Sequence, residues 1–323
     1  MFDNIVALDW AKSNLAVARL KKDATVPKVF ETEADIDFLK QYLEELPGTV
    51  QLVFEISSSA RKLFFELRDY VDDIIACDPL KNDTVKKGAK TDKIDAVKLA
   101  LLARQNRLNN VFMDQSENFK LRRLVSSYID KVKALVRCKN HMADFKDNRI
   151  NSEYDEFALE QTKNEIETLG SIKSQYEKKF KILEKNNKQV KLMAGVPGIG
   201  TINAVKLVAT VASADRFRSY KDYWGYCGLA RYLVESGKRS YGTRRIRYNP
   251  TMKSIYKTAA LVAIATTEEF GMYFNFLTKE KMLPDYNARN TIARHIAKMT
   301  LMMLKHNTKY NPKLIRQKIK AQN

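Results

Sequence analysis

An α/β domain followed by a basic, mostly helical one is what this sequence predicts, and three observations predict it. Strand and helix patterns alternate through the first hundred residues, long helical periodicities fill the middle, and positive charge gathers in the last third. The chain has 323 residues, enough for two domains with separate cores.

The elements follow in order. Residues 5–8 form a short apolar run, and 15–20 follow after a tight Lys12-Ser13-Asn14 turn, which predicts a hairpin. Residues 26–32 add a third antiparallel strand. Residues 35–46 place Ile36, Leu39, Tyr42, Leu43 and Leu46 on one helical face, stopped by Pro47-Gly48. Residues 50–55 read as a strand, 59–70 as a helix carrying Leu63, Phe64 and Leu67, and 73–77 as a strand ended by Asp78-Pro79. A helical pattern resumes near Thr91 with Ile94, Val97, Leu101 and Leu102. Three antiparallel strands, then helix, strand, helix, strand, helix, is the element order of a ribonuclease-H-like domain over residues 1–110.

From 111 to 190 the pattern is helical. Leu121, Leu124, Val125, Tyr128, Val132, Leu135 and Val136 recur at steps of three and four, as do Ile166, Leu169, Ile172, Tyr176, Phe180 and Leu183. Two long amphipathic helices are expected, bent near residues 151–160, forming a coiled-coil arm that serves dimerisation or packs within the chain. Residues 191–323 open on Gly195-Val196-Pro197-Gly198-Ile199-Gly200 ahead of a helix at 202–211. This resembles a helix-hairpin-helix, whose free N–H groups hold a DNA phosphate, and equally a plain helix corner. Residues 252–267 and 288–304 are further apolar helices, and the rest of this part is expected to be helical.

The net charge of +19 is unevenly spread: residues 1–110 hold 17 basic and 18 acidic side chains, 111–190 hold 16 and 13, and 191–323 hold 24 and 7. A C-terminal domain that basic fits binding to a phosphate backbone. No run of eighteen apolar residues exists, so a membrane span is not expected, and the N-terminal MFDNIVALDW reads as a strand rather than a signal peptide. Cys77, Cys138 and Cys227 stand far apart, suggesting neither a disulfide framework nor a zinc site, and suit a reducing, cytoplasmic setting. His141, His295 and His306 fall in helical stretches and read as packing or surface residues.

Acids end two of the expected strands: Asp9 in Val6-Ala7-Leu8-Asp9 and Glu55 in Leu52-Val53-Phe54-Glu55. Asp92 and Asp95, three apart at a helix start, share one helical face. In a ribonuclease-H-like sheet the first and fourth strands are neighbours, so Asp9 and Glu55 would emerge side by side. Four crowded carboxylates repel unless a cation neutralises them, and hard oxygen ligands select Mg2+ or Mn2+ for phosphoryl transfer. Taken singly, each acid has an ordinary reading: Asp92 as an N-cap, Asp95 as a first-turn acid, Asp9 as a turn opener.

Lys90-Thr91-Asp92-Lys93-Ile94-Asp95-Ala96 with Leu99-Ala100 resembles the signature of an insertion-sequence transposase family that includes Piv-type DNA invertases. A second signature is similar too: Gly195 to Gly200, Phe217, Tyr226-Cys227-Gly228-Leu229-Ala230 and Ser236-Gly237-Lys238. The resemblance implies a RuvC-like domain whose Asp-Glu-Asp-Asp tetrad, here Asp9, Glu55, Asp92 and Asp95, binds metal. It implies that Ser236, with Ser240 as a nearby alternative, attacks DNA to form a phosphoserine link, the metals assisting across a composite site. It also implies a structured bridge RNA as partner.

Ser236 by itself would be an ordinary loop serine. Where relatives carry a Gly-rich basic stretch ending Lys-Arg-Gly-Asn, this chain has Gly242-Thr243-Arg244-Arg245-Ile246-Arg247-Tyr248-Asn249-Pro250, a tyrosine replacing the glycine. Lys238, Arg239, Arg244, Arg245 and Arg247, with Tyr241 and Tyr248 among them, suit phosphate contacts and base stacking, as do the backbone N–H groups near Gly198 and Gly200. The expected activity is cutting and rejoining DNA strands by a homodimer or homotetramer. Rivals are a site-specific invertase of the same family, a metal-dependent junction resolvase using water, and a non-catalytic nucleic-acid-binding relative.

Overall fold

The computed structural model describes residues 2–78, 91–147, 152–237, 239–244 and 247–320. Its contacts divide the chain into two compact units, Met1–Gln115 and Ser116–Asn323.

The first unit is a five-stranded mixed sheet with helices on both faces. Strands β1 (Asn4–Trp10), β2 (Asn14–Lys21) and β3 (Lys28–Glu33) form an antiparallel meander. Helix α1 (Ile36–Glu44) then leads to β4 (Val50–Glu55), α2 (Ala60–Leu67) to β5 (Asp73–Cys77), and α3 (Asp92–Arg104) follows. The strand order is β3-β2-β1-β4-β5, with β4 parallel to β1 and β5 parallel to β4. This mixed α/β architecture is compatible with the ribonuclease-H-like class. Each expected element is present to within a few residues. Asp35 caps α1, its side chain accepting from the Asp37 N–H at 2.9 Å.

Side-chain alternation divides the sheet cleanly. Val6, Leu8, Leu15, Val17, Leu52 and Phe54 face α1 and α2, burying against Leu39, Leu43, Leu63 and Leu67. Ile5, Ala7, Ala16, Ala18 and Val53 face the other way, against Ala96, Leu99, Ala100 and Ala103 of α3. Alanine opposing alanine lets the helix lie close to the sheet.

The second unit is almost wholly helical. α4 (Glu117–Asp147) and α5 (Glu153–Asn186) pack against each other, Tyr128 meeting Phe180 edge-on at a centroid distance of 5.0 Å and the tilted ring of Tyr176 at 5.9 Å. The bend expected at 151–160 is corrected from residue 153 on, where α5 is already helical, and residue 151 lies outside the described residues. Ser152 caps α5, its Oγ accepting from the Asp155 N–H at 3.2 Å, and this polar stretch is the helix's acidic first turn. α6 (Lys188–Ala194), α7 (Thr201–Val211), α8 (Tyr220–Tyr226), α9 (Pro250–Thr266), α10 (Glu268–Asn275), α11 (Asp285–His306) and α12 (Lys313–Lys320) surround one core, which also takes Val125, Tyr128 and Phe180 from the paired helices. The expectation that this part is helical throughout is corrected by a two-stranded antiparallel ribbon, β6 (Tyr232–Ser236) and β7 (Arg239–Arg244).

A chain of buried hydroxyls crosses that core. Tyr223 Oη stands 2.5 Å from Tyr256 Oη, which stands 2.8 Å from Thr300 Oγ1, and Thr300 donates to the Ala297 carbonyl. Burial pushes both phenols and the neighbouring Cys227 thiol well above their ordinary pKa values, so all stay neutral. The three cysteines are buried, and no helix among the described residues is long and apolar enough to cross a membrane.

Tyr256→Phe removes the phenol that meets both Tyr223 Oη and Thr300 Oγ1 inside the core, leaving Tyr223 only the Cys227 thiol. We expect a loss of about 1–3 kcal/mol in urea unfolding, seen as a lower midpoint with an unchanged m-value.

Candidate active site and nucleic-acid interface

Two anchors fix where α3 sits over its sheet. At its C-terminal end, the Arg104 guanidinium donates to the carbonyls of Lys21 and Ala24, and Lys21 is the cross-strand partner of Asn4 at the start of β1. In its first turn, Lys93 pairs with Glu31 at 2.9 Å. Glu31 lies opposite Ala16, and Ala16 opposite Asp9, so Lys93 marks the row of Asp9. Eleven residues of helix rise about 16 Å, and five residues of strand from Asn4 to Asp9 rise about the same. The helix therefore runs antiparallel to β1, with its N-terminus at the level where β1 ends.

That arrangement gathers the four acids. The parallel register matches Leu8 to Phe54, so Asp9 and Glu55 are the next step on adjacent strands, roughly 4.8 Å apart in strand spacing. Alternation from Ala7 and from Val53 turns both toward the α3 face. Asp92 and Asp95 occupy the first turn of α3, in line with the sheet-facing Ala96 and Leu99. Asp92 is not the N-cap. Thr91 is, its Oγ1 accepting from the Ile94 N–H at 3.3 Å, which leaves the exposed Asp92 carboxylate outside the capping role.

Asp95 shows the sharpest feature. Its Oδ1 is buried and accepts no hydrogen bond, and the Lys98 ammonium stands 3.7 Å away. A buried carboxylate oxygen without a hydrogen bond is costly to fold around, and such groups concentrate at functional positions. Among the described residues no three carboxylate, imidazole or thiolate groups stand close enough to hold one ion. The acids thus share a face and a level, and their hard oxygen donors suit Mg2+ or Mn2+, without closing into a three-ligand cluster.

The second unit holds the remaining predicted residues. The Gly-rich turn connects α6 to α7. Gly198 has φ +78, and a Cβ there would stand 2.4 Å from the Ala259 carbonyl oxygen of α9, so glycine is required by both backbone and packing. Gly200 differs: it is the N-cap of α7 in extended conformation, no side chain caps the helix, and nothing lies within 4 Å of where its Cβ would be. Of the two, only Gly200 stands at the open helix N-terminus.

Ser236 ends β6 and is exposed, so it lies in the ribbon rather than in the loop expected from sequence. Pairing sets it opposite Arg239, on the ribbon face that also carries Tyr241; the Arg239 guanidinium lies 5.5 Å from that ring's centroid. Ser240 pairs with Glu235 on the opposite face, and its Oγ accepts from the Gly242 N–H at 3.4 Å. All of β7 is exposed, including Arg239 and Arg244. Lys253 lies 4.8 Å from the Tyr248 ring centroid. Arg247 is exposed beside these, while Lys238 and Arg245 lie outside the described residues.

Sequence reasoning passed over a polar cavity of about 120 Å³ lined by Arg231, Lys257, Tyr286, Asn287, Asn290 and Arg294. Its signal was present: Asn287, Asn290 and Arg294 recur at helical spacing on one face of α11.

Two family models match the chain. One, DEDD_Tnp_IS110, described as a transposase, matches residues 6–145. The other, described as the transposase IS116/IS110/IS902 family, matches residues 190–275. No curated protein matches.

Gly198→Ala and Gly200→Ala separate packing from binding. Gly198→Ala should lower stability by about 2 kcal/mol or more, since the Cβ meets backbone at a positive φ, and Gly200→Ala by under about 0.5 kcal/mol, both read from chemical unfolding.

Proposed function

The chain belongs to the insertion-sequence transposase family of the IS116/IS110/IS902 type, an enzyme acting on DNA, and on that premise we propose how its residues break and rejoin strands. Asp9, Glu55, Asp92 and Asp95 of the first unit hold a divalent cation, and the Ser236 hydroxyl of the second attacks DNA phosphorus. The observation that supports the first half is the convergence of the four acids on one face and one level, with Asp95 Oδ1 buried and lacking a hydrogen bond. Bound Mg2+ or Mn2+ would offset negative charge on the reacting phosphate.

The serine step balances as a transesterification. Ser236 Oγ bonds to phosphorus, the bond from phosphorus to one neighbouring sugar oxygen breaks, and that oxygen leaves as a hydroxyl with the proton the serine gave up. Attack by a hydroxyl of another strand end reverses the step, joins the strands and restores the serine. Two features favour Ser236 over Ser240: it sits at the exposed end of β6, and it shares its face with Arg239, whose guanidinium suits a phosphate oxygen. Ser240 faces away, beside Glu235.

The ribbon's exposed Arg239, Arg244 and Tyr241 support contact with nucleic acid, as does the excess of 24 basic over 7 acidic residues after position 190. A structured guide RNA and a homodimeric or homotetrameric assembly belong to the same reading, and family membership is what supports them.

One observation favours a second reading. The Ser236 hydroxyl has no hydrogen-bond partner among the described residues, so no base stands ready to activate it. A resolvase-like enzyme would use water at the carboxylates and dispense with the serine.

Trapping a covalent protein–DNA adduct decides between them, with magnesium, element-end DNA and co-purified RNA. Wild type should form the adduct. Ser236→Ala should abolish it with a loss of cleavage of about a thousandfold or more, Ser240→Ala should retain it, and Asp95→Ala should lose both adduct and cleavage with an unchanged circular dichroism spectrum. Cleavage persisting in Ser236→Ala without any adduct would establish water as the nucleophile.

A further inference from the structure

A groove of about 560 Å³ lies between α8, α11 and the segment that leads into α12. Its volume falls in the range of sites that enclose a small organic group, roughly 300–1,000 Å³. Met299, Met302 and Met303 of α11 line it, unbranched side chains that adapt to the shape of what lies on them. Two aromatic residues of its walls have their polar atoms engaged elsewhere. Trp224 Nε1 donates to the Arg294 carbonyl at 2.8 Å, and Tyr310 Oη donates to Glu269 at 2.8 Å. What these two offer the groove is therefore ring surface rather than a hydrogen-bond donor.

The wall opposite α11 is anchored. Asn307 ends α11 at φ +52, and the Thr308 N–H donates back to the Met303 carbonyl at 3.2 Å, which turns the chain. Beyond the turn Ile315 is buried in the core, and Arg316 pairs with Glu268 of α10 at 2.9 Å.

Three cations line the same groove. Arg294 is half-buried on α11, Lys298 follows one turn later, about 6 Å along the helix, and Lys309 is exposed on the opposite wall. Arg294 Nε donates to the Leu229 carbonyl at 3.1 Å, and Lys298 Nζ lies 4.5 Å from the Tyr220 ring centroid. Cations beside accessible ring surface are the combination that suits single-stranded nucleic acid, whose phosphates meet the charges and whose bases stack on the rings. An apolar peptide would match the methionines and rings but not the lysines, whereas an unpaired base with its phosphates matches both. Bases of a duplex are stacked and paired inside it, so only an unpaired nucleotide can enter. Arg294 also lines the small polar cavity where Arg231 reaches Thr243 Oγ1 at 3.5 Å, so one end of the groove lies near the root of the ribbon.

We propose that this groove holds an unpaired base of a single-stranded nucleic-acid segment, seated against Trp224, Tyr310 and Met302, with Lys298 and Lys309 on the adjoining phosphates. This rests on reading the second unit as nucleic-acid-binding, and it adds a base-holding site outside the basic strip at 238–247.

The test is photo-crosslinking on the full chain. The probes are single strands of about twelve nucleotides, DNA and RNA, in which every base is 5-iodouracil and joins to an aromatic ring lying against it. Anisotropy follows binding across salt, and mass spectrometry locates the crosslinked peptides. Wild type should crosslink at Trp224, Tyr220 or Tyr310. Leu314→Glu, at an exposed position of the groove wall, should lower that crosslink about tenfold with an unchanged circular dichroism spectrum. Lys298→Gln/Lys309→Gln should bind more weakly, with the slope of log affinity against log salt reduced by about 0.7 per cation removed. Lys163→Gln/Lys178→Gln, an equal loss of exposed charge on α5, should leave that slope within about half a unit of wild type.

Should Leu314→Glu unfold, the Lys298→Gln/Lys309→Gln variant must by itself lower the groove crosslink about threefold or more. A groove crosslink to the DNA probe, to the RNA probe or to both supports the site and names the strand it holds. Crosslinks confined to Tyr241, Tyr248 or other positions outside the groove overturn the site and leave the wider reading standing. Suppression of the groove crosslink by micromolar uridine monophosphate assigns the groove to a free nucleotide and overturns the strand assignment. Wild-type protein that binds neither probe overturns the wider reading and the site with it.

Discussion

The seating of α3 on the alanine-lined face of the sheet is the contact on which the candidate catalytic site depends. Ala7, Ala16 and Ala18 on one side and Ala96, Ala100 and Ala103 on the other let the helix approach closely, and small side chains leave little freedom for it to slide. Arg104 fixes one end against the Lys21 and Ala24 carbonyls, and Lys93 fixes the other against Glu31. Moving the helix by one turn would shift Asp92 and Asp95 by about 5.4 Å relative to Asp9 and Glu55. A larger residue at any of the alanines would lift the first turn from the strand ends, so packing in the core sets the spacing of charges at the rim.

The second unit solves a different problem, the display of positive charge on a helical core. Its core is continuous from the paired helices α4 and α5 to α11, with the Tyr223, Tyr256 and Thr300 hydroxyls satisfying one another inside it. Basic side chains are thereby held at the periphery, on the exposed ribbon and along one face of α11. The cations around the small cavity show the difference between the two kinds of charge. On the ribbon, arginines stand in water and screening weakens them; between α9 and α11, half-buried Lys257 and Arg294 keep more of their field. The two glycines of the α6–α7 turn divide along the same line: Gly198 serves the core by letting α9 pass close, and Gly200 leaves a helix N-terminus open.

Much of this was legible from residue patterns. Alternation and helical periodicity place β1 to β5 and α1 to α3 in their order, because each element must hide one apolar face, and the period records which. The acids at strand ends were visible for the same reason: a charge that follows an apolar run marks where the run leaves the core. The ribbon was not legible. Residues 232, 233, 235–237 and 239–244 are exposed, so no alternation of buried and exposed positions marks the strands among them, and only pairing between the two segments makes them so. The start of α5 was hidden likewise, since the acidic stretch from residue 153 that reads as a loop is the charged first turn of a helix.

By itself the sequence determined the two-part organisation, the kind of chemistry available in four carboxylates, and the concentration of positive charge in the last third. Those follow from composition and local period, which each segment carries alone. The tertiary structure decided which groups meet. It put Asp9 beside Glu55 through a parallel register, brought the α3 N-terminus to their level, buried one oxygen of Asp95, and turned Ser236 toward Arg239 and away from Ser240. It also drew Arg231, Lys257 and Arg294, sixty-three residues apart at their extremes, around one cavity. Such meetings depend on distances between segments far apart in the chain, and the period of a segment records only its own faces and not its neighbours.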